Sequence, residues 1–260
     1  MLFAKGFTKI KDKTEVIKKS ARASKILSQE KETPLPYAYP CDNYINSILS
    51  NRLVRKTLQL VADKYCEKQI ENIKSTGLLV CDEKYPRFYD ILQNCCRTLN
   101  IKEVPEVYIT SKLKGINALS VGTDKTPIIL ISHKAVVGLS DNELKFMIGH
   151  ELGHILQKNL ICHTVKGLLD NLNNKSDILG RIVSDLIDVP LKEWYRCAEH
   201  TADRAGLICC KDFESVHSLM IKIANTERSS MAPALMELYK EHPYIQTRIN
   251  VLKCYKLYYQ

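Results

Sequence analysis

One segment, residues 140–158, constrains the fold more than any other part of this chain. Ser140 and Glu143 have the spacing of a capping box, in which each residue caps the backbone of the other at the start of a helix. Apolar residues follow at three- and four-residue intervals, which is the period of an amphipathic helix. We therefore predict a helix that begins near Asp141 and continues to about Lys158.

This predicted helix carries the string His150-Glu151-Leu152-Gly153-His154. Side chains at positions i and i+4 lie on one face of a helix, so both histidine rings can give a nitrogen to the same Zn²⁺ ion. Glu151 lies about 100° around the helix from His150, where it can reach a water at the metal without binding the metal itself. The pattern predicts two zinc ligands, His150 and His154, and a general base, Glu151.

A catalytic zinc site also needs a third protein ligand. Pro190 and Gly206 predict the start and the end of a later helix, which carries Glu199 and Asp203 four residues apart. If Glu199 binds the metal, Asp203 lies one turn along the same face and can accept the spare ring N–H of a zinc-bound histidine. A neighbouring cysteine and histidine are rival ligands, but neither has such a partner at helical spacing; they are Cys197 and His200.

In combination these elements resemble the HtpX-type zinc peptidases, relatives of the CAAX prenyl endopeptidases in the gluzincin clan. Four elements occur in the order of that family over about residues 105–255: Asn117-Ala118, His150 to His154, Glu199 to Asp203, and His242-Pro243 followed by Arg248-Ile249. Residues 1–80 show no match. The resemblance implies one Zn²⁺ per chain and a peptide or protein substrate.

The resemblance further implies metal-assisted hydrolysis of a peptide bond, in which Glu151 takes a proton from water and passes it to the leaving amine. His242 and Arg248 are then candidate donors to the oxyanion. A helix cap and a surface ion pair are the structural alternatives for these two residues. Asn117 and Ala118 are expected to line the cleft, where an extended peptide can pair with a strand edge; an ordinary core or edge strand is the alternative.

The period of the apolar residues predicts an α+β fold with helix in large excess and a small three-stranded β-sheet. The resemblance implies that this fold is a mostly helical zincin-like metallopeptidase domain, with the sheet beside the active-site helix. The β-rich runs that predict strands are 107–109, 117–121 and 128–131. Further helices are predicted at 43–75, 87–99, 161–188, 212–226 and 243–257.

Charge and proline content predict the domain organisation. Residues 1–25 hold eight basic and two acidic side chains, which is +6 of the formal net charge of +9. The remainder therefore lacks the basic face that nucleic-acid binding requires. Three prolines within residues 34–40 indicate an extended connector. We expect a basic N-terminal segment with this connector (1–40), a helical region (41–80) and a zinc metallopeptidase domain (81–260).

The sequence also bears on location. It contains no run of about 20 apolar residues that could span a membrane, and its start lacks the features of an export signal. We expect a cytoplasmic protein with reduced thiols, and peripheral membrane contact through the basic residues 1–25 is an open alternative. No pattern indicates an oligomeric state.

Two alternatives to an endopeptidase stay open from the residues alone. The first is a latent or non-proteolytic zinc-binding module whose cleft is covered by the N-terminal segment. The second is an exopeptidase, which needs an anchor for the free amine of its substrate. No motif in the sequence supplies such an anchor, so we expect an endopeptidase.

Overall fold

The computed structural model describes residues 35–40, 70–124, 126–158, 160, 195–230 and 245–259. The chain divides into two units, Met1–Leu35 and Pro36–Gln260. All described residues except Leu35 belong to the second unit. Three predictions fall wholly or in part outside the described residues. They are residues 43–69 of the predicted helix 43–75, the predicted helix 161–188, and the predicted oxyanion donor His242.

The described part of the chain has an α+β fold, as predicted. Its helices are α1 (70–76), α2 (Pro86–Thr98), α3 (His133–Gly138), α4 (Asp141–Leu156), α5 (195–210), α6 (Phe213–Ser230) and α7 (Ile245–Tyr259). Its strands are β1 (Leu78–Leu79), β2 (Glu106–Thr110), β3 (Ala118–Thr123) and β4 (Thr126–Ser132). The predicted helix beginning at Asp141 is α4, and its predicted capping box is present.

The four strands form one sheet in the order β1-β2-β4-β3. Strands β2 and β4 are parallel, whereas β3 pairs with β4 as an antiparallel hairpin and β1 pairs antiparallel with β2. The three predicted strands are present, and the two-residue β1 adds a fourth. Ile128 to Ile131 on β4 are buried, because this central strand is covered on both faces. Strand β3 lies at an edge of the sheet.

The start of α4 is tied to α6 through Glu143. The backbone N–H of Ser140 donates to Glu143 Oε2 at 2.9 Å, which closes the capping box. The same buried carboxylate accepts from Lys222 Nζ at 2.7 and 2.8 Å and from Ser218 Oγ at 3.0 Å. Burial by itself raises the pKa of Glu143, but the hydrogen bonds from Lys222, Ser140 and Ser218 outweigh it and hold this pKa below its ordinary value.

Helices α4 and α5 pack closely because glycine and alanine line their contact. A Cβ added at Gly153 would lie 2.8 Å from Ala202 Cα and 2.9 Å from Ala205 Cβ. A Cβ at Gly206 would lie 2.7 Å from the backbone oxygen of Phe146. The prediction that α5 ends at Gly206 is therefore wrong: the helix continues to Cys210, and Gly206 serves the helix contact instead.

The described cysteines, apart from Cys197, follow the expectation of reduced thiols. Among the described residues, six cysteines are free: Cys81, Cys95, Cys96, Cys209, Cys210 and Cys254. Cys197 is disulfide-bonded, so the expectation is wrong for this residue. Within the described ranges, no helix is both long enough and apolar enough to cross a membrane.

Substitution of Gly153 by alanine tests the helix contact. We expect Gly153→Ala to lower the free energy of unfolding by about 1–3 kcal/mol, because the added methyl group meets backbone that must move. Gly138→Ala is the matched control. It has no atom within 4 Å of the added Cβ, so alanine should be neutral or should stabilise its helix by roughly 0.5–1 kcal/mol. Urea unfolding of both variants makes the comparison, and equal effects would contradict the close packing.

The buried carboxylate of Glu143 predicts a pH-dependent stability. At neutral pH, Glu143→Gln should lower the free energy of unfolding by roughly 2 kcal/mol, since charged hydrogen bonds are lost. The folded-state pKa is below the ordinary value of 4.5. The contribution is therefore complete above that value and disappears as the pH falls through the lowered one. Urea unfolding at pH 7, 5 and 3 should show wild type and variant converging in acid. A constant difference would exclude this role for the carboxylate.

Candidate metal centre

The structure brings the three predicted zinc ligands together. His150 and His154 lie on α4 and Glu199 lies on α5, and one ligand atom from each falls within 4.8 Å of the others. The Nε2 atoms of His150 and His154 are 3.1 Å apart. Glu199 Oε1 lies 3.4 Å from His154 Nε2, and Glu199 Oε2 lies 3.8 Å from His150 Nε2. Among the described residues, no other group of three histidine, cysteine or acidic side chains is arranged in this way.

The donor set fits a zinc ion. Tetrahedral zinc with bonds of 2.0–2.1 Å places its ligand atoms about 3.4 Å from one another. The separations of 3.1, 3.4 and 3.8 Å bracket that value. Two imidazole nitrogens and one carboxylate are a ligand set used by catalytic zinc sites, which keep the fourth position for water. The three side chains could therefore hold zinc with little rearrangement.

Asp203 supports this cluster as the sequence predicts. The carboxylate is completely buried, and its Oδ1 lies 3.0 Å from His150 Nδ1. This contact fixes the orientation of the ring and leaves Nε2 directed toward Glu199. Burial lowers the pKa of His150, but the hydrogen bond to Asp203 and the charge of Glu199 outweigh it and raise this pKa. The same negative surroundings favour a cation beside Nε2.

Arg248, on α7, joins the two carboxylates. Its Nε and Nη2 donate to the two oxygens of Asp203 at 2.8 and 2.6 Å, and its Nη1 lies 3.1 Å from Glu199 Oε2. Burial raises the pKa of Asp203, but the Arg248 guanidinium and His150 lower it to about 2. Asp203 is therefore ionised. From the sequence, Arg248 is a candidate donor to the oxyanion or a member of a surface ion pair. Nothing in the sequence indicates that its guanidinium contacts the buried carboxylates of Asp203 and Glu199.

Glu151, the predicted general base, is buried at the sheet side of α4. Ser120 Oγ on β3 donates to Glu151 Oε2 at 2.5 Å and lies 3.1 Å from the backbone oxygen of Glu151. Sequence reasoning missed Ser120, because nothing in the order of residues relates a strand serine to a helix 31 positions later. The alternation of β3 is the available signal, since it places Ser120 on one face with Ala118.

Asn117 and Ala118 lie at the start of the edge strand. The N–H of Asn117 donates to Ser132 Oγ at 3.2 Å, and its carbonyl oxygen accepts from the N–H of Ser132 at 2.9 Å. Ala118 is opposite Ile131 in the hairpin. These contacts hold the entry to β3 against β4, next to the strand position that reaches Glu151.

The two rival ligands are outside the metal cluster. The ring of His200 stacks on Tyr39 with 4.9 Å between centroids, and burial lowers its pKa. Cys197 is disulfide-bonded and has no thiolate to offer. The structure thus distinguishes Glu199 from both neighbours.

Residues 37–39 pack on α5, a contact that the sequence did not indicate. The N–H of Tyr39 donates to Thr201 Oγ1 at 2.9 Å, and Arg204 Nη1 donates to the carbonyl oxygens of residues 37 and 38 at 3.2 and 2.9 Å. At 100° per residue, Thr201 and Arg204 lie at least about 100° around the helix from both Glu199 and Asp203. This segment therefore supports the ligand helix from a different face.

The fold and the centre together define a metallopeptidase domain. The family model of Peptidase family M48 matches residues 83–256, and the chain belongs to this family. Plastoglobule-localized metallopeptidase 48, chloroplastic, from Arabidopsis thaliana is 28% identical over 156 residues, which are 60% of this chain and 44% of that protein. The chain thus matches less than half the length of this curated relative. No solved structure gives a significant match. The prediction of a metallopeptidase is confirmed at the level of Peptidase family M48.

Asp203→Asn tests the support of the metal cluster. The amide keeps the size of the side chain but removes the charge that orients His150, so the dissociation constant for zinc should rise about 10- to 100-fold. Competition with a zinc chelator measures this constant. The control is Asp141→Asn, which removes a carboxylate paired with Arg87 on the surface and should leave zinc affinity unchanged. Equal affinities in all three proteins would show that Asp203 does not act on the metal site.

Proposed function

We propose that this protein is a zinc-dependent endopeptidase of the HtpX-like gluzincin type, with His150, His154 and Glu199 as ligands. The observation that carries the proposal is the approach of these three side chains to mutual ligand distance. It occurs in a chain that belongs to a metallopeptidase family. The buried pair of Asp203 and Arg248 behind the ligands adds support, because metal-bound histidines ordinarily have such a carboxylate partner.

Glu151 has the central part in the proposed reaction. Zinc, when bound, polarises the scissile carbonyl and lowers the pKa of water to about 7. Glu151 accepts the proton of the attacking water and gives it to the leaving amine. Asp203 keeps the ring of His150 oriented, and Arg248 acts through Asp203 and Glu199 as a positioning residue. The predicted oxyanion role of His242 and Arg248 stays a prediction.

The edge strand β3 is the proposed binding surface for the peptide substrate. Among the described strands, β3 pairs with β4 alone, so its other edge can accept an extended peptide through main-chain hydrogen bonds. Asn117 and Ala118 lie where this strand begins. Recognition by backbone contacts suits an endopeptidase, because it requires no free terminus on the substrate.

The latent module stays the alternative to this proposal. The hydrogen bonds of residues 37–39 reach Thr201 and Arg204, on a face of α5 turned away from Glu199 and Asp203. We propose the three-part organisation 1–40, 41–80 and 81–260, of which the family match over 83–256 supports the last. A cytoplasmic location, with peripheral membrane contact through residues 1–25 as its alternative, also belongs to this proposal. The name of the Arabidopsis relative places that protein in chloroplast plastoglobules.

Metal content and cleavage measured on the same samples test the proposed function. Wild type should hold about one zinc per chain and cleave casein. Glu199→Ala should lose most of its metal, whereas Glu151→Ala should keep the metal and lose at least about 100-fold in kcat. Glu106→Ala, which removes a surface carboxylate paired with Lys74, should match wild type in both measurements.

Each failure in this experiment has a separate meaning. Equal zinc in wild type and Glu199→Ala would exclude Glu199 as the third ligand. Full cleavage by Glu151→Ala would exclude Glu151 as the base. Wild type that holds zinc and cleaves no protein substrate would overturn the enzyme assignment and favour the latent module.

A further inference from the structure

Ser120 is the one polar side chain on β3 that reaches the predicted catalytic helix in the described contacts. It is 4% exposed, and it is held in place by the pairing of its strand, in which it stands opposite Ile129 on β4. Its hydroxyl lies 2.5 Å from Glu151 Oε2 and 3.1 Å from the backbone oxygen of the same residue. The contact joins the sheet edge to the general base.

The chemistry of this contact favours a positioning role. A hydroxyl has one proton to donate, and both acceptors within its reach belong to Glu151. A carboxylate on a glutamate side chain has three rotatable bonds, so its oxygens move freely unless a neighbour holds them. General-base catalysis requires the carboxylate within hydrogen-bond reach of the proton it removes. A hydroxyl donor fixed on a strand is suited to hold one carboxylate oxygen of Glu151, Oε2, and to leave the other, Oε1, available to accept the proton.

We propose that Ser120 is a positioning residue that holds the Glu151 carboxylate in its catalytic orientation from the edge strand. The inference rests on the proposed function, since it gives Glu151 the role of base. It adds a link between substrate binding and chemistry. The strand that would receive the substrate also carries the donor that orients the base, so a peptide paired with β3 contacts the element that places Glu151.

The experiment compares Ser120→Ala, which deletes the hydroxyl, with Ser120→Thr, which keeps it. With zinc bound and casein-derived peptide as substrate, we expect kcat of Ser120→Ala to fall about 10- to 100-fold, because a small displacement of a catalytic group has an effect of this size. KM and zinc content should stay within about twofold of wild type. Ser120→Thr should recover kcat to within a few-fold of wild type.

The matched control is Thr110→Val, which deletes another buried hydroxyl from the same sheet. Thr110 lies on β2, and its Oγ1 accepts from the N–H of Lys112. This variant should keep the kcat of wild type. Unchanged kcat in Ser120→Ala, or an equal loss in Thr110→Val, would overturn the positioning role while leaving the peptidase assignment intact.

A second readout does not depend on activity. In thermal unfolding, Ser120→Ala should shift Tm more in wild type than in a Glu151→Ala background, because the contact with the carboxylate is absent there and only the backbone oxygen of residue 151 is left as an acceptor. Additive shifts would show that Ser120 and Glu151 do not interact, and this result would overturn the inference. If wild type failed to cleave any peptide, the proposed function would fail on its own, and the unfolding cycle would still decide whether the contact exists.

Discussion

The candidate metal centre depends on how closely two helices approach each other. His150 and His154 come from α4 and Glu199 comes from α5, so the distance between the helix axes sets whether the three proposed ligands can meet. Gly153 lies so close to Ala202 and Ala205 that a Cβ atom at position 153 would be less than 3 Å from both residues. Small residues at a helix contact allow the backbones to come near, because the distance between helix axes depends on the side chains at the contact. The ligand geometry is therefore a result of packing at residues that bind no metal.

A close helix contact alone would place several negative charges in a buried space. Burial of an unpaired carboxylate is unfavourable, and both Asp203 and Glu199 are almost completely buried. Arg248 resolves this by contacting both, and it brings α7 into the site. The guanidinium is suited to this because its planar donors can serve two carboxylates at once. A lysine at the same place could not form the same bidentate contact with Asp203.

Local patterns in the sequence predicted the elements well, and distant contacts account for what they missed. The capping box at Ser140 and the period of the apolar residues gave α4 and its start. The three strands followed from β-rich runs between turn signals. Glycine often follows the end of a helix, so local pattern predicts an end at Gly206, but the close contact of this residue with Phe146 on α4 is what requires glycine there. The contact of Ser120 with Glu151 depends on the strand order of the sheet, which local propensity does not specify.

The proposed catalytic groups have two separate supports. The candidate metal ligands depend on the α4–α5 contact and on the Asp203–Arg248 pair, whereas the carboxylate of Glu151 accepts a hydrogen bond from Ser120 on β3. Glu151 follows His150 directly in the sequence, yet the two side chains point toward different neighbours because successive residues on a helix are 100° apart. One turn of α4 thus presents a proposed ligand to the helical side of the domain and a proposed base to the sheet. The proposed substrate also binds to β3. The proposed base and the substrate would therefore both be held by this strand, whereas the proposed metal ligands are held by helices.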